Sequence, residues 1–212
     1  MANGTDWQAW HEPYADPDSP LSRRLRLVRG QIASWLDARP DERLTVVSAC
    51  AGQGHDLVGV LAGRKDAHRV RATLLEYDAG NVSVARAAAG RAGLDNLTVR
   101  RADAGRLASY QGLVPADLVL MAGVFGNISD DDVRRTVTAL PQLCADGATV
   151  IWTRTRQAPD LTPALRGWLR SAGFAEEAFH APDDVLFSVG VHRFTGVPRP
   201  LDTSGTLFSF VR

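Results

Sequence analysis

The sequence predicts an α/β domain built on a parallel sheet, and three observations carry that expectation. Short apolar runs alternate with segments of helical periodicity along most of the chain, the order that parallel strands with helical crossovers produce. The first run leads straight into a glycine-bearing turn and a helix, Val46-Val47-Ser48-Ala49-Cys50-Ala51-Gly52-Gln53-Gly54-His55-Asp56. The second ends on a carboxylate, Leu74-Leu75-Glu76, where nucleoside-binding α/β folds place an acidic residue.

The elements follow in order. A polar, aromatic head, residues 5–18, ends at Ser19-Pro20, a capping serine followed by proline at the first helical position. A helix follows to about Ala38, with Leu21, Leu25, Val28, Ile32 and Trp35 recurring at helical spacing and Arg23, Arg24, Arg26 and Arg29 largely off that stripe, so one face packs and the other meets solvent or ligand. Strands are expected at 44–49, 70–76, 97–100, 117–122 and 149–153. Helices are expected at 56–62, 80–92, 130–143 and 162–172, with Pro141 bending or ending its helix early, because proline lacks the amide hydrogen. After Gly173 the rhythm changes, and 185–194 and 206–211 read as strands joined through Gly196-Val197-Pro198, a connection that makes them antiparallel.

Length and composition bound the function. The 212 residues suit one domain. Lys and Arg total 24 against 24 Asp and Glu, so no broad field directs the chain to nucleic acid or a membrane. Lys65 is the only lysine, and the abundance of arginine and alanine looks like codon bias. Cys50 and Cys144 are too few and too isolated for a disulfide framework or a zinc site, so no metal is expected and a reducing cytoplasm fits. The first residues carry no basic-then-apolar leader, and no apolar run reaches the length of a membrane span.

Three segments carry chemistry. Glycines in the turn after the first strand let a ligand approach the backbone and its N–H groups at a helix start, although a βα turn also uses glycine for packing alone. A dinucleotide fingerprint requires a third small residue where Leu57 stands, which argues against NAD or FAD. No phosphate-cradling Gly-Lys-Ser/Thr follows. Glu76 is the candidate to accept both hydroxyl protons of a ribose, with Asp78 either a second candidate or the cap of the next helix. Asp103, in Arg101-Ala102-Asp103-Ala104, either accepts from an adenine amino group or is a solvated loop residue or a cap.

Taken in order and at this spacing, the three segments resemble the class I S-adenosylmethionine-dependent methyltransferase family. Cys50-Ala51-Gly52-Gln53-Gly54 is similar to its glycine motif, Glu76 precedes Ala85-Arg86 as the family's acidic residue precedes an Ala-Arg pair, and Asp103-Ala104 is similar to its adenine-contacting motif. The resemblance continues through Ala116-Asp117-Leu118-Val119-Leu120-Met121 and Asp146-Gly147-Ala148-Thr149-Val150-Ile151 and covers roughly residues 40 to 212. Ser48 departs from a frequent acidic residue and Cys50 from the usual first glycine.

The resemblance implies a Rossmann-like seven-stranded sheet, six strands parallel and the last antiparallel, with helices on both faces. It divides the chain into an N-terminal lid and helix, 1–39, and an S-adenosylmethionine-binding methyltransferase domain, 40–212. It implies S-adenosyl-L-methionine as cofactor, held by Ala49, Ala51, Gly52, Gly54, Glu76, Tyr77, Asp103, Ala104 and Gly123. Asp56 either reaches the ligand's ammonium or serves its own helix dipole.

The acceptor is expected to enter over Gly123-Val124-Phe125-Gly126-Asn127-Ile128, with Phe125 and Asn127 as wall residues and Arg154 as a partner for an acidic group. Trp7, Trp10, His11 and Tyr14 concentrate in the head, which is expected to fold down as a lid, with Trp10 and Tyr14 meeting substrate and His11 preferred as a general base over His55, His68 and His192. The leading expectation is direct in-line methyl transfer to an O, N or S nucleophile of a small molecule. An RNA or protein methyltransferase and a non-catalytic cofactor-binding homologue are the alternatives; against a base-amino methyltransferase, the loop after the fourth strand has no Asn/Asp-Pro-Pro-aromatic segment.

Overall fold

A computed structural model describes residues 13–210. Helix α1, Pro20–Asp37, precedes strand β1, Leu44–Ala49. Helix α2, His55–Leu61, strand β2, Val70–Glu76, helix α3, Ala79–Arg91, and strand β3, Leu97–Arg101, follow. Strand β4, Ala116–Met121, helix α4, Asp130–Ala139, strand β5, Cys144–Thr155, and helix α5, Thr162–Ser171, lead to strands β6, Phe174–His180, and β7, Phe187–Phe194. The seven strands form one sheet in the order β3-β2-β1-β4-β5-β7-β6. The first five pair in parallel, and β7 is antiparallel to both β5 and β6. Six strands therefore share one direction and β7 opposes them, as the resemblance implies.

Both faces are covered. Apolar side chains of α1, α2 and α3, among them Ile32, Leu57 and Val82, pack on one face of the sheet, while Val133 and Val137 of α4 and Leu165 and Leu169 of α5 pack on the other. The inner strands are accordingly apolar almost continuously: Leu118, Val119, Leu120 and Met121 of β4 are all sealed from solvent. Caps set the helix starts. Ser19 Oγ accepts from the Ser22 N–H at 3.1 Å, and Asp78 Oδ1 accepts from the Asn81 N–H at 2.8 Å. Helix α4 stops at Ala139, short of the expected 143, and a 3-10 turn containing Pro141 takes over. No helix among the described residues is long and apolar enough to cross a membrane.

The end of the chain corrects the sequence reading. The antiparallel partner of β7 is Phe174–His180, not residues 206–211. Glu176 and Glu177 break the apolar alternation of that strand, and β7 is already flanked by β5 and β6, so no edge remains for a later segment. The described part of 206–211 makes isolated bridges instead, Thr206 to Arg106 and Phe210 to Ile128. It returns along the α4 face, with the Arg199 N–H donating to Pro141 O at 2.9 Å and the Leu207 N–H to Gly105 O at 2.7 Å.

Candidate functional site

The chain crosses from one side of β1 to the other when it passes from β3 to β4. Such a reversal leaves a crevice at the carboxyl ends of the two central strands, where open α/β sheets bind their ligands. A cavity of about 420 Å³ lies there, lined by the turns that follow β1, β2, β3 and β4.

The turn after β1 is held by unusual backbone angles. Cys50, Gly52 and Gly54 have φ of +51°, +55° and +74°, the region that L residues other than glycine occupy at a cost. Cys50 keeps the conformation without being a glycine, so a side chain stands where the resemblance implies a glycine. Its thiol lines the cavity, and burial, then the charges of Glu76 and Asp103, push its pKa well up. The group is a neutral thiol and not a thiolate nucleophile. Gly54 does not line the cavity: it caps α2, and a Cβ there would stand 2.8 Å from Leu74 Cδ2.

Glu76 ties this turn to the next. Its Oε2 accepts from the Gly52 N–H and its Oε1 from the Asp78 N–H, both at 2.8 Å. Each carboxylate oxygen has a further lone pair, so the side chain is oriented by backbone donors and still able to accept from a ligand. Asp78 also borders the cavity but spends Oδ1 on capping α3. Tyr77 stands exposed at the rim. After β3, Asp103 Oδ1 accepts from the Gly105 N–H at 2.9 Å, which fixes the carboxylate beside Ala104 at the cavity wall.

Asp56, in the first turn of α2, is buried and also lines the cavity. Burial raises its carboxyl pKa, against a backbone bond from Leu57 and the charges of Arg29 and Arg24. Tyr14, Arg24 and His55 line it as well. Arg24 Nη2 donates to Tyr14 Oη at 3.2 Å, and the Tyr14 and His55 rings meet at 4.9 Å. On the β4 side Gly123, φ +77°, donates its N–H to Thr153 Oγ1, and Asn127 Nδ2 donates to Gly123 O at 2.7 Å.

The cavity thus brings together Ala51, Gly52, Asp56, Glu76, Tyr77, Asp103, Ala104 and Gly123, with Tyr14 and Asn127 from the acceptor set. It does not include Ala49, sealed within β1, or Phe125, sealed in the core against Trp152. Arg154 is also outside it, engaged by Asp130 at 3.0 Å and by the Phe125 carbonyl. Trp7, Trp10 and His11 lie outside the described residues. His192 is remote in β7, where burial pushes its ring down to about 4, and His68 is exposed in a 3-10 turn.

Sequence reasoning missed Leu25 and Val28 of α1 and Phe208, Ser209 and Phe210 as lining residues. The α1 pair sits on the stripe read as packing. Nothing in the local pattern of 208–210 points to a site built from residues far earlier in the chain. No group of three or more potential metal ligands occurs among the described residues.

No protein-family model matches the chain, and no curated protein sequence matches it. Solved structures do. A possible exported protein from Bordetella parapertussis superposes with a TM-score of 0.66 at 21% identity, over 92% of this chain and 81% of that one. An O-methyltransferase family protein from Burkholderia thailandensis gives 0.67 at 15% identity, over 90% of this chain and 60% of that one. Magnesium protoporphyrin IX methyltransferase from Synechocystis PCC 6803, solved with bound S-adenosylmethionine, gives 0.67 at 16% identity, over 91% and 92%. The chain therefore has the fold of class I methyltransferases.

Proposed function

We propose that this chain is an S-adenosylmethionine-dependent methyltransferase acting on a small-molecule nucleophile. The observation that carries the reading is the Glu76 carboxylate, fixed by two backbone N–H groups at the rim of the switch-point cavity. A carboxylate at the end of β2 suits a ribose diol, and Asp103 after β3 suits the exocyclic amine of adenine. The cavity, about 420 Å³, is in the range of small-molecule and cofactor sites. Asp56, buried in the first turn of α2 at the cavity, is the partner for the ammonium of the amino-acid moiety. Four acidic residues, Asp56, Glu76, Asp78 and Asp103, line the cavity against one arginine, Arg24, a balance that favours a cationic ligand.

The cofactor supplies, when bound, a sulfonium-activated methyl group that a nucleophile displaces in line as the carbon–sulfur bond breaks. The chain's own part is positioning. Glu76 and Asp103 fix the nucleoside, Asp56 fixes the amino-acid moiety, and Gly123 leaves the backbone after β4 open to the acceptor. Asn127 locks that turn through Gly123 O and offers its amide to a polar acceptor. Tyr14 and α1 cover the other side and exclude water, which is the lid role proposed for residues 1–39. Support for a small acceptor is the balanced charge of 24 against 24 and a sequence without a basic stripe of interleaved aromatics.

Titration calorimetry with S-adenosylmethionine and S-adenosylhomocysteine tests the cofactor. Binding of both in the micromolar range, with no binding of NAD, is expected. If NAD or a nucleotide binds and neither of the two does at millimolar concentration, the reading is wrong. A labelled-methyl screen across small amines, phenols, carboxylates and thiols, with RNA and protein as further arms, then identifies the acceptor.

A further inference from the structure

The geometry points to residues 205–210 as a strap that completes the nucleoside end of the cavity, so that nucleoside affinity depends on how this returning segment is seated. The inference rests on reading the cavity as the cofactor site. Strand β7 ends at Phe194, beside the amino-terminal part of β5, so the chain must travel the length of the sheet to reach the ligand end. It does so along the α4 face, where the connection from β3 to β4 contains a single 3-10 turn, Leu107–Tyr110, in place of a crossover helix. Leu207 and Phe208 fill the gap and are 0% and 3% exposed.

The strap is fastened on both flanks. On one side the Leu107 N–H donates to Gly205 O at 3.0 Å and the Leu207 N–H to Gly105 O at 2.7 Å, directly after Asp103-Ala104. On the other, Thr136 Oγ1 donates to Leu207 O at 3.1 Å and the Ser209 N–H to Asp132 Oδ2 at 2.9 Å. Asp132 is itself buried in the first turn of α4, and it acts as a positioning residue. The strap therefore links the loop that carries the adenine-facing carboxylate to the helix that follows the β4 turn.

Contact with the Asp103 loop is close enough to dictate a residue. A Cβ at position 105 would lie 2.2 Å from Phe208 O, so only glycine there allows the strap to seat. Seated, it presents Phe208, Ser209 and Phe210 to the cavity, with the two rings 5.6 Å apart and edge to face. An apolar aromatic wall next to a carboxylate is complementary to a purine, whose faces are apolar and whose exocyclic amine donates a hydrogen bond.

The test titrates the full chain and two variants, Gly105→Ala and Phe208→Ala, with S-adenosylhomocysteine and separately with adenosine. Gly105→Ala removes no cavity-lining side chain and acts by unseating the strap, since its Cβ would meet Phe208 O at 2.2 Å. Each variant is expected to weaken both ligands at least tenfold and by a common factor, because adenosine carries only the end that the strap serves. Ligand affinities within twofold of wild type, alongside a lowered melting temperature, would make the strap structural only and overturn the inference. Loss confined to S-adenosylhomocysteine overturns the nucleoside assignment. If the unaltered chain binds neither ligand, the cofactor reading itself falls. Should Gly105→Ala fail to fold, Phe208→Leu keeps apolar volume and removes the aromatic face; adenosine binding several-fold weaker supports the inference, and unchanged binding overturns it.

Discussion

Two nearly sealed polar side chains, one at the carboxyl end of β2 and one inside the β5–β7 ribbon, meet opposite fates. Glu76 is 8% exposed and His192 is 1% exposed. The carboxylate of Glu76 is held by two backbone donors and faces a cavity. The imidazole of His192 accepts from Trp152 Nε1 at 3.2 Å, stands 3.5 Å from Glu176, and does not line the switch-point cavity. The difference teaches that burial alone does not identify a functional group. A fixed group with spare lone pairs toward open space is prepared for a ligand, whereas a group walled in by aromatic rings serves packing and is kept neutral.

The largest expected effect breaks the ribbon and spares the site. A Cβ on Gly190 would stand 2.2 Å from Trp152 Cε2, and Trp152 is sealed and held by His192. Gly190→Ala is therefore expected to cost about 3 kcal/mol of stability in urea unfolding, the upper part of the overpacking range. Ligand affinity of the folded protein should not change. A loss under about 1 kcal/mol would show that the ribbon yields more easily than the packing implies.

Glu76→Ala should do the reverse. Loss of the proposed ribose acceptor is expected to weaken S-adenosylhomocysteine binding by about 2 kcal/mol, roughly thirtyfold in Kd, within the range for stranded hydrogen-bonding partners. Calorimetry reads it directly, and an unchanged Kd would move the ribose role to Asp78.

The third expectation uses pH. Burial, with Arg166 and Arg170 adding to it and Glu176 opposing, holds the His192 ring at about 4 in the folded state, against about 6.5 when unfolded. The unfolded chain therefore binds the extra proton between these values, and stability is full above pH 6.5 and lost as pH falls toward 4. The Glu176 carboxyl, lowered chiefly by its bond from Arg166, acts in the same direction at the acid end. Thermal melts from pH 7 to 4.5 should show a decline of about 1 to 3 kcal/mol, and the decline should be shallower in His192→Gln. Equal slopes would assign the acid sensitivity to other groups.

The smallest effect sharpens the reading of the glycine turn. Since Cys50 sits at φ +51°, Cys50→Gly should be more stable than Cys50→Ala by about 1 kcal/mol, the left-handed penalty that alanine carries and glycine does not. The reverse order, usual in strands and helices, would mean that the turn relaxes in the variants.

Local signals carried most of the framework. Ser19-Pro20 marks the start of α1, and β1 and β2 fall on the expected residues, because a cap, a proline and a continuous apolar run are properties of neighbouring residues. The glycine turn, Glu76 and Asp103 were legible for the same reason: each lies at the end of a strand, and parallel pairing brings strand ends together. What needed the tertiary structure was non-local or had two local solutions. Phe125 and Asn127 sit two residues apart after β4, yet one is sealed in the core and the other lines the cavity, a division set by how the turn packs on β5. The partner of β7 was settled by which sheet edges were already filled, and the place of residues 205–210 by a gap that the β3–β4 connection leaves open. By itself the sequence determined where strands end and helices begin, since those choices are made within a few residues. Only the folded chain decided which distant segment lines the cavity, because such contacts depend on shape that no local pattern encodes.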